Sequence, residues 1–259
     1  MSERWSRAVF ESFGLTVEIR SEDLRITDQL PDILPLCRRA DNGVQPSAVF
    51  HATREGAILL DDQLVKRTNG EPHTTLLAVG SAVREYLALC APDLIFIHAG
   101  VVTIGEQAVV IPGRSRTGKT TLVAELVRAG ATYYSDEFAV VDREGLIHPY
   151  PQILTLRIDP RTGRSQVPVI MPAREYKPPP AAAGTLLVTS FKPKTCWQPV
   201  SLSPGEGALT VFDNAVAARS RPAEVLSACR RLASGALRLG GERGEAQLIA
   251  QNLVEMLTT

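Results

Sequence analysis

Eight residues, Gly113 to Thr120, constrain this chain more than any others. They read GRSRTGKT and fit G-x-x-x-x-G-K-[ST], the phosphate-binding loop. Their context is the one the motif's mechanism requires. The apolar run Ala108 to Ile111 predicts a buried strand entering the loop. Thr121 to Ala129 predicts a helix leaving it, with Leu122, Leu126 and Val127 on one face and Gly130 as its C-terminal glycine. The glycines let the backbone curl so that several N–H groups point inward. The helix N-terminus aims its positive end at the same point. The nucleotide segment is therefore read as Gly113, Arg114, Ser115, Arg116, Thr117, Gly118, Lys119, Thr120 and Thr121. Lys119 can reach the β- and γ-phosphates of ATP, and the Thr120 hydroxyl can ligate Mg²⁺.

Composition narrows the partners. In 259 residues, Lys+Arg and Asp+Glu balance at 28 each, so no overall field attracts nucleic acid or an anionic membrane. The four cysteines, Cys37, Cys90, Cys196 and Cys229, form no C-x-x-C pair, which argues against a zinc site or a disulfide framework. The first residues, MSERWSRAVFESFG, lack the apolar stretch of a secretory signal, and no apolar run approaches a membrane span. A cytoplasmic protein is expected.

Along the chain, residues 1–72 read as an accessory β-rich region. Leu15 to Arg20 alternates as a half-buried strand does, and Ala48 to Leu60 reads as a hairpin with Gly56 in its turn. Pro31 and Pro35 break the stretch between. Residues 73–259 read as the main domain. Thr74 to Leu89 has helical periodicity and stops before Pro92; Leu94 to Ile104 predicts a strand. Strand composition returns over Ala131 to Asp142, near Ile153, and from Gly184 to Phe191. Residues 160–183, with six prolines, read as a loop. Ser203 to Glu206 is a capping box with proline at the first helical position. Arg221 opens a second helix, and Glu242 to Leu257 a last one.

A phosphate loop alone says only that a nucleotide binds. Chemistry needs a group that activates an acceptor, and the candidate is the pair Asp136 and Glu137 at the end of the strand after the loop helix. Such strand ends face the same crevice as the loop in α/β folds. One acid can accept a hydroxyl proton, while either can serve Mg²⁺ beside Thr120. Neighbours in a strand point to opposite faces, so both acids can serve only if the strand ends near Asp136. His98 stands in an otherwise apolar strand. Arg157 is a candidate clamp for a transferring phosphoryl group, its planar fork suiting that role.

His98-Ala99, the Gly113 to Thr120 loop and Ser135-Asp136-Glu137 together resemble the catalytic core of the HPr kinase/phosphorylase family. The intervals from His98 to Lys119 and from Lys119 to Asp136 match that family's arrangement. The resemblance covers residues 94–140. It is greatest to the HPr-kinase-like proteins of bacterial biosynthetic and peptide-modification gene clusters. It implies an α/β phosphate-loop kinase core with a central mixed β-sheet, related to PEP carboxykinase. In its terms Asp136 takes the proton-shuttling position, Glu137 that of a second, metal-side carboxylate, and His98 orients or tunes the aspartate. The chain departs from the family at Arg116, where a glycine is usual, and at Glu137, where the family has aspartate. The family's glycine-rich phosphorolysis loop has no clear counterpart, so the resemblance extends to forward transfer alone. The expected catalytic set is Asp136, His98, Lys119 and Arg157; the metal set is Thr120, Glu137 and Asp136. The expected acceptor is a hydroxyl, that of a serine on a peptide or protein, with a small-molecule acceptor or a non-catalytic ATP binder as alternatives. Homo-oligomers are compatible with the resemblance.

Overall fold

The computed structural model describes residues 5–34, 38–39, 43–113, 117–157, 166–170 and 176–258, with backbone alone at 38–39, 157 and 166–169. The chain divides into two compact units, Met1–Pro92 and Asp93–Thr259. The sequence pattern places the boundary at 72/73, one helix earlier. That helix buries Leu76, Val79, Val83 and Leu87 in the core of the first unit, and this burial assigns it there.

In the first unit, β1 (Ser6–Ser12) and β2 (Leu15–Ser21) form a hairpin across Phe13 and Gly14, both at positive φ. A two-residue turn of that kind matches the strand twist. Then come α1 (Leu24–Ile33), β3 (Arg38–Arg39), β4 (Ala48–Ala52), β5 (Ala57–Leu60), β6 (Gln63–Arg67) and α2 (Pro72–Cys90). The sheet order is β3-β1-β2-β4-β5-β6. Phe10, Ile19, Phe50 and Ile58 pack there with Ile26 and Leu30 of α1 and with the apolar face of α2. The helix α1 corrects the sequence reading, since Pro31 lies inside it rather than breaking the chain. Asp23 caps its start by accepting from Arg25 N–H, and burial of Ile26 and Leu30 offsets the i→i−4 bond that Pro31 forfeits.

Glu18 is the buried charge among the described residues of this unit, 1% exposed. Arg7 grips it with Nε on Oε1 at 2.8 Å and Nη2 on Oε2 at 2.9 Å, and Arg20 Nε donates to Oε1. Hydrogen bonding from Arg7, then from Arg20, holds the carboxyl at about 2, against the opposing effect of burial. A carboxyl depressed in the folded state contributes stability above its unfolded pKa and loses it as pH falls. Stability from Glu18 is therefore expected to decline from pH 4.5, the ordinary value, toward about 2. Glu18→Gln should remove that decline and cost about 2 kcal/mol at neutral pH, read by urea unfolding at both pH values.

The second unit is a three-layer sandwich. Its elements are β7 (Ile95–Ile104), β8 (Gln107–Pro112), α3 (Lys119–Arg128), β9 (Thr132–Ser135), β10 (Phe138–Val141), β11 (Leu146–His148), β12 (Leu154–Arg157), β13 (Gln166–Ile170), β14 (Ala181–Phe191), β15 (Val200–Ser201), α4 (Pro204–Phe212), α5 (Pro222–Gly235), β16 (Leu237–Arg243) and α6 (Ala246–Thr258). The central sheet runs β11-β10-β7-β8-β14-β16-β15, with β9 also on β7. It is mixed: β8 and β16 lie parallel to β14, and the other pairs are antiparallel. β11 pairs with β14 as well as β10, so five strands close on themselves at that end. Residues Ile95, Ile97, Ala99 and Val101 of β7 face α4 and α5. Val102 and Ile104 face the opposite layer, where Leu122, Val123 and Leu126 of α3 pack with Ile249 and Leu253 of α6.

The strand β16 is a second correction: the sequence pattern runs the last helix from Glu242, whereas α6 starts at Ala246 and a strand precedes it. Gly240 and Gly241 give that strand the look of a turn. Leu202 packs where a Cβ at Gly240 would stand, 2.9 Å from its Cδ2, and that close approach is the physical need for a glycine there. Of residues 160–183, which read as a loop, 166–170 form β13, paired with β12, and 181–183 begin β14, while 176–180 have no regular structure. The capping box at Ser203 is formed: Ser203 Oγ accepts from Glu206 N–H and Glu206 Oε2 from Ser203 N–H.

Candidate functional site

The site grows from one strand whose neighbours change on both edges at the same place. On one edge of β7, His98 N–H donates to Asn214 O at 2.8 Å, after which β8 takes over from Ala99 onward. On the other edge, β10 pairs up to His98 and β9 resumes at Val101. The long strand predicted over Ala131 to Asp142 is thus broken, and Asp136 with Glu137 occupies the break. This is the strand end that the sequence reading requires for both acids to serve. Ser135 Oγ accepts from the N–H groups of Glu137 and Phe138, fixing the bend.

Two backbone hydrogen bonds tie the break to the loop. Gly113 N–H donates to His98 O at 3.2 Å, and Ala99 N–H donates to Glu137 O at 3.2 Å. Adjacent residues of one strand therefore hold the first residue of the phosphate loop and the acid pair. The even-numbered residues of β7 face the α3 layer, which puts His98 and Gly100 on that side. A Cβ at Gly100 would lie 2.5 Å from Val123 Cγ2 and 3.9 Å from Lys119 Cβ. The loop helix thus sits directly on β7.

Electrostatics reports the same convergence. Burial pushes the Lys119 ammonium below its ordinary range, opposed by the charges of Glu137 and Asp136. His98 is exposed at its surface yet crowded by neighbouring atoms, which lowers it; Glu137 raises it, and Lys119 lowers it again. Its ring lies against Phe138 with centroids 4.8 Å apart. Burial pushes the Asp136 carboxyl up, against a hydrogen bond from Tyr133. Tyr133 Oη stands 3.2 Å from Asp136 Oδ1 and 3.1 Å from Gln152 O, and Gln152 Nε2 lies 3.5 Å from the same Oδ1. Burial raises Tyr133 far above an ordinary phenol, so it remains a donor.

Gly113, Thr117, Gly118, Lys119 and Thr120 are half-buried at the start of α3, and Thr121 is exposed. Gly118 takes positive φ, as its place before the helix demands. Arg114, Ser115 and Arg116 lie outside the described residues, as does the side chain of Arg157. Among the described residues no three His, Cys, Asp or Glu side chains form a metal cluster. Mg²⁺ in phosphoryl-transfer sites is held by one or two carboxylates together with substrate phosphates. Two adjacent half-buried acids near a loop lysine, with the Thr120 hydroxyl beside it, fit that kind of donor set. A cavity of about 430 Å³ lies elsewhere, in the first unit between Asp23, Arg54 and Thr75, and holds none of these residues.

Three residues of the site escape the sequence reading. Gly100 has a legible signal, a glycine inside an apolar strand two residues after His98. Tyr133 has none beyond its closeness to Asp136. Arg243 is buried, and its Nη2 donates to Gly118 O at 2.8 Å from a strand whose end reads as helix in the sequence.

No protein-family model matches the chain, and no curated protein does. Among solved structures it is similar to the HPr(Ser) kinase/phosphatase from Coxiella burnetii. That match has 14% identity and a TM-score of 0.35, over 63% of this chain and 95% of the other. Neither figure reaches a level from which an activity follows. No helix among the described residues is long and apolar enough to cross a membrane.

Proposed function

We propose that this chain is an ATP–Mg²⁺-dependent phosphotransferase that moves the γ-phosphoryl group to a hydroxyl, that of a serine in a peptide or protein. The observation that carries the reading is the crossing at His98 and Ala99, where one strand binds both the loop glycine and the acid pair. A pure nucleotide binder has no need of a half-buried carboxyl with raised proton affinity beside its lysine.

The residues divide the work as follows. The loop amides and Lys119 hold the phosphates, and Asp136 accepts the acceptor's proton. The acceptor oxygen bonds to the γ-phosphorus, the bond to the β–γ bridging oxygen breaks, and ADP leaves with that electron pair. A carboxyl whose proton affinity is raised is the stronger base once ionised. Tyr133 and Gln152 orient it. His98, whose proton affinity is lowered, can hydrogen-bond near the phosphates. Glu137, Asp136 and Thr120 would hold Mg²⁺, which supplies charge neutralisation on the phosphate oxygens. Such chemistry is mainly positioning and electrostatics.

The test is incubation with γ-labelled ATP and Mg²⁺ against serine-containing peptides and, separately, small hydroxyl compounds. Label on a peptide serine is expected, and Lys119→Ala should reduce it at least about a hundredfold. Label on small molecules alone would replace the acceptor class. Nucleotide binding with no transfer to any acceptor would remove the enzyme.

A further inference from the structure

Arg243 is 2% exposed, the largest fully buried side chain among the described residues. It ends β16, and β8, β14 and β16 run parallel, so their C-terminal ends share the edge at which the phosphate loop begins. Ligands of open α/β sheets bind at such edges. Its Nη2 donates to Gly118 O at 2.8 Å and its Nη1 to Gly244 O at 3.2 Å, while Nε has no partner among the described residues. Phe191 lies beside it, ring centroid 5.7 Å from Cζ. A Cβ on Gly118 would stand 2.5 Å from Nη2, so the guanidinium presses on the glycine before Lys119.

Holding that carbonyl does not by itself explain a buried charge. Gly118 O already accepts from Leu122 N–H at 3.1 Å, the first turn of α3. A cation there also opposes the helix dipole, whose positive end lies at the same place. The acid whose field reaches it is exposed Glu245, and no carboxylate among the described residues forms an ion pair with it. An uncompensated buried charge is costly, and a polyanion in the adjacent loop would offset that cost.

We propose that Arg243 is a second, buried cation of the polyphosphate site, set behind Gly118 and complementing Lys119 in front of it. The inference rests on the nucleotide reading above and deepens it. The loop then carries fixed positive charge on both sides of its last glycine. The unliganded protein bears the cost of that buried charge, and binding offsets it.

The test uses the full chain and two probes, Mg–ATP and inorganic tripolyphosphate, with adenosine as the uncharged control. Arg243→Met is expected to weaken Mg–ATP binding about tenfold or more by calorimetry, without lowering the unliganded Tm. The rise in Tm that tripolyphosphate gives the wild type should shrink in the same variant, and Arg243→Lys should fall between the two. Two results would overturn the inference. One is Mg–ATP affinity in Arg243→Met within about twofold of wild type. The other is an unliganded Tm lowered by about 5 °C or more that Arg243→Lys restores without restoring binding, which would make the residue a structural tie. A wild type that answers neither probe removes the nucleotide reading itself, and this inference with it.

Discussion

Asp136→Asn is expected to lower phosphoryl transfer about a thousandfold while Mg–ATP still binds. The amide keeps the shape of the side chain and can still meet Tyr133 and Gln152, but it cannot take a proton. Two roles are open to this carboxylate, and kinetics separates them. If it is the base, kcat falls and the KM for ATP holds. If it is a metal ligand, the Mg²⁺ dependence shifts and high Mg²⁺ recovers part of the rate. Stability gives an independent reading. The folded Asp136 carboxyl binds its proton more tightly than an unfolded one, mainly because it is buried. Its contribution to stability is therefore present at low pH and is lost as pH rises through the folded pKa. At neutral pH the ionised carboxyl is a burden, and Asp136→Asn should raise Tm while abolishing transfer. Full activity in this variant would remove Asp136 as the base. An inactive variant with a lowered Tm would point to a misfolded site instead.

That trade of stability for a positioned carboxyl is partly legible in the residues themselves. The strand, loop and helix around Gly113 to Thr120 are local, and local pattern reads well. The apolar run, the glycines and the periodic helix each carry their own signal. The break at Asp136 is legible only as a condition, because a strand of apolar and aromatic residues does not announce where its partner changes. Ser135 Oγ makes the bend by capping two N–H groups, a choice the backbone settles in three dimensions.

What the sequence hides has a common cause. Helix α1 contains Pro31, and β16 contains Gly240 and Gly241, so each carries a residue that local rules treat as a breaker. In both, packing overrides propensity. Ile26 and Leu30 bury against the first sheet, and β16 joins β14 over seven paired residues. Arg243 cannot be placed without β16. Its partner Gly118 lies 125 residues away, and no pattern within one strand encodes that contact. The boundary between the units shifts for the same reason, since a helix's loyalty to one core or another lies in which face it buries.

Gly100→Val should be the most damaging single change outside the reacting groups. Gly100 has no positive φ, so the backbone itself would accept a side chain. Space is the constraint: a Cβ there stands 2.5 Å from Val123 Cγ2, with Ile111 Cβ and Lys119 Cβ at 3.9 Å. Both sides are buried, and neither the central strand nor the loop helix can give without moving the other. Overpacking of that kind is expected to cost about 3 kcal/mol by urea unfolding. The effect on transfer should exceed the effect on folding, because α3 would shift away from β7 and carry Lys119 and Thr120 with it. A displacement of about 1 Å in a phosphoryl-transfer site is enough to lose a hundredfold in rate. The smaller change Gly100→Ala, paired with Val123→Ala, isolates the contact. Each alone should destabilise, one by a clash and the other by a cavity. Together they should cost less than their sum by about 1 kcal/mol or more, with part of the transfer rate restored. Strict additivity would mean that the approach of helix to strand at this glycine does not set the loop's position, and the loop's placement would then have to come from its ends, at Pro112 of β8 and at the first turn of α3.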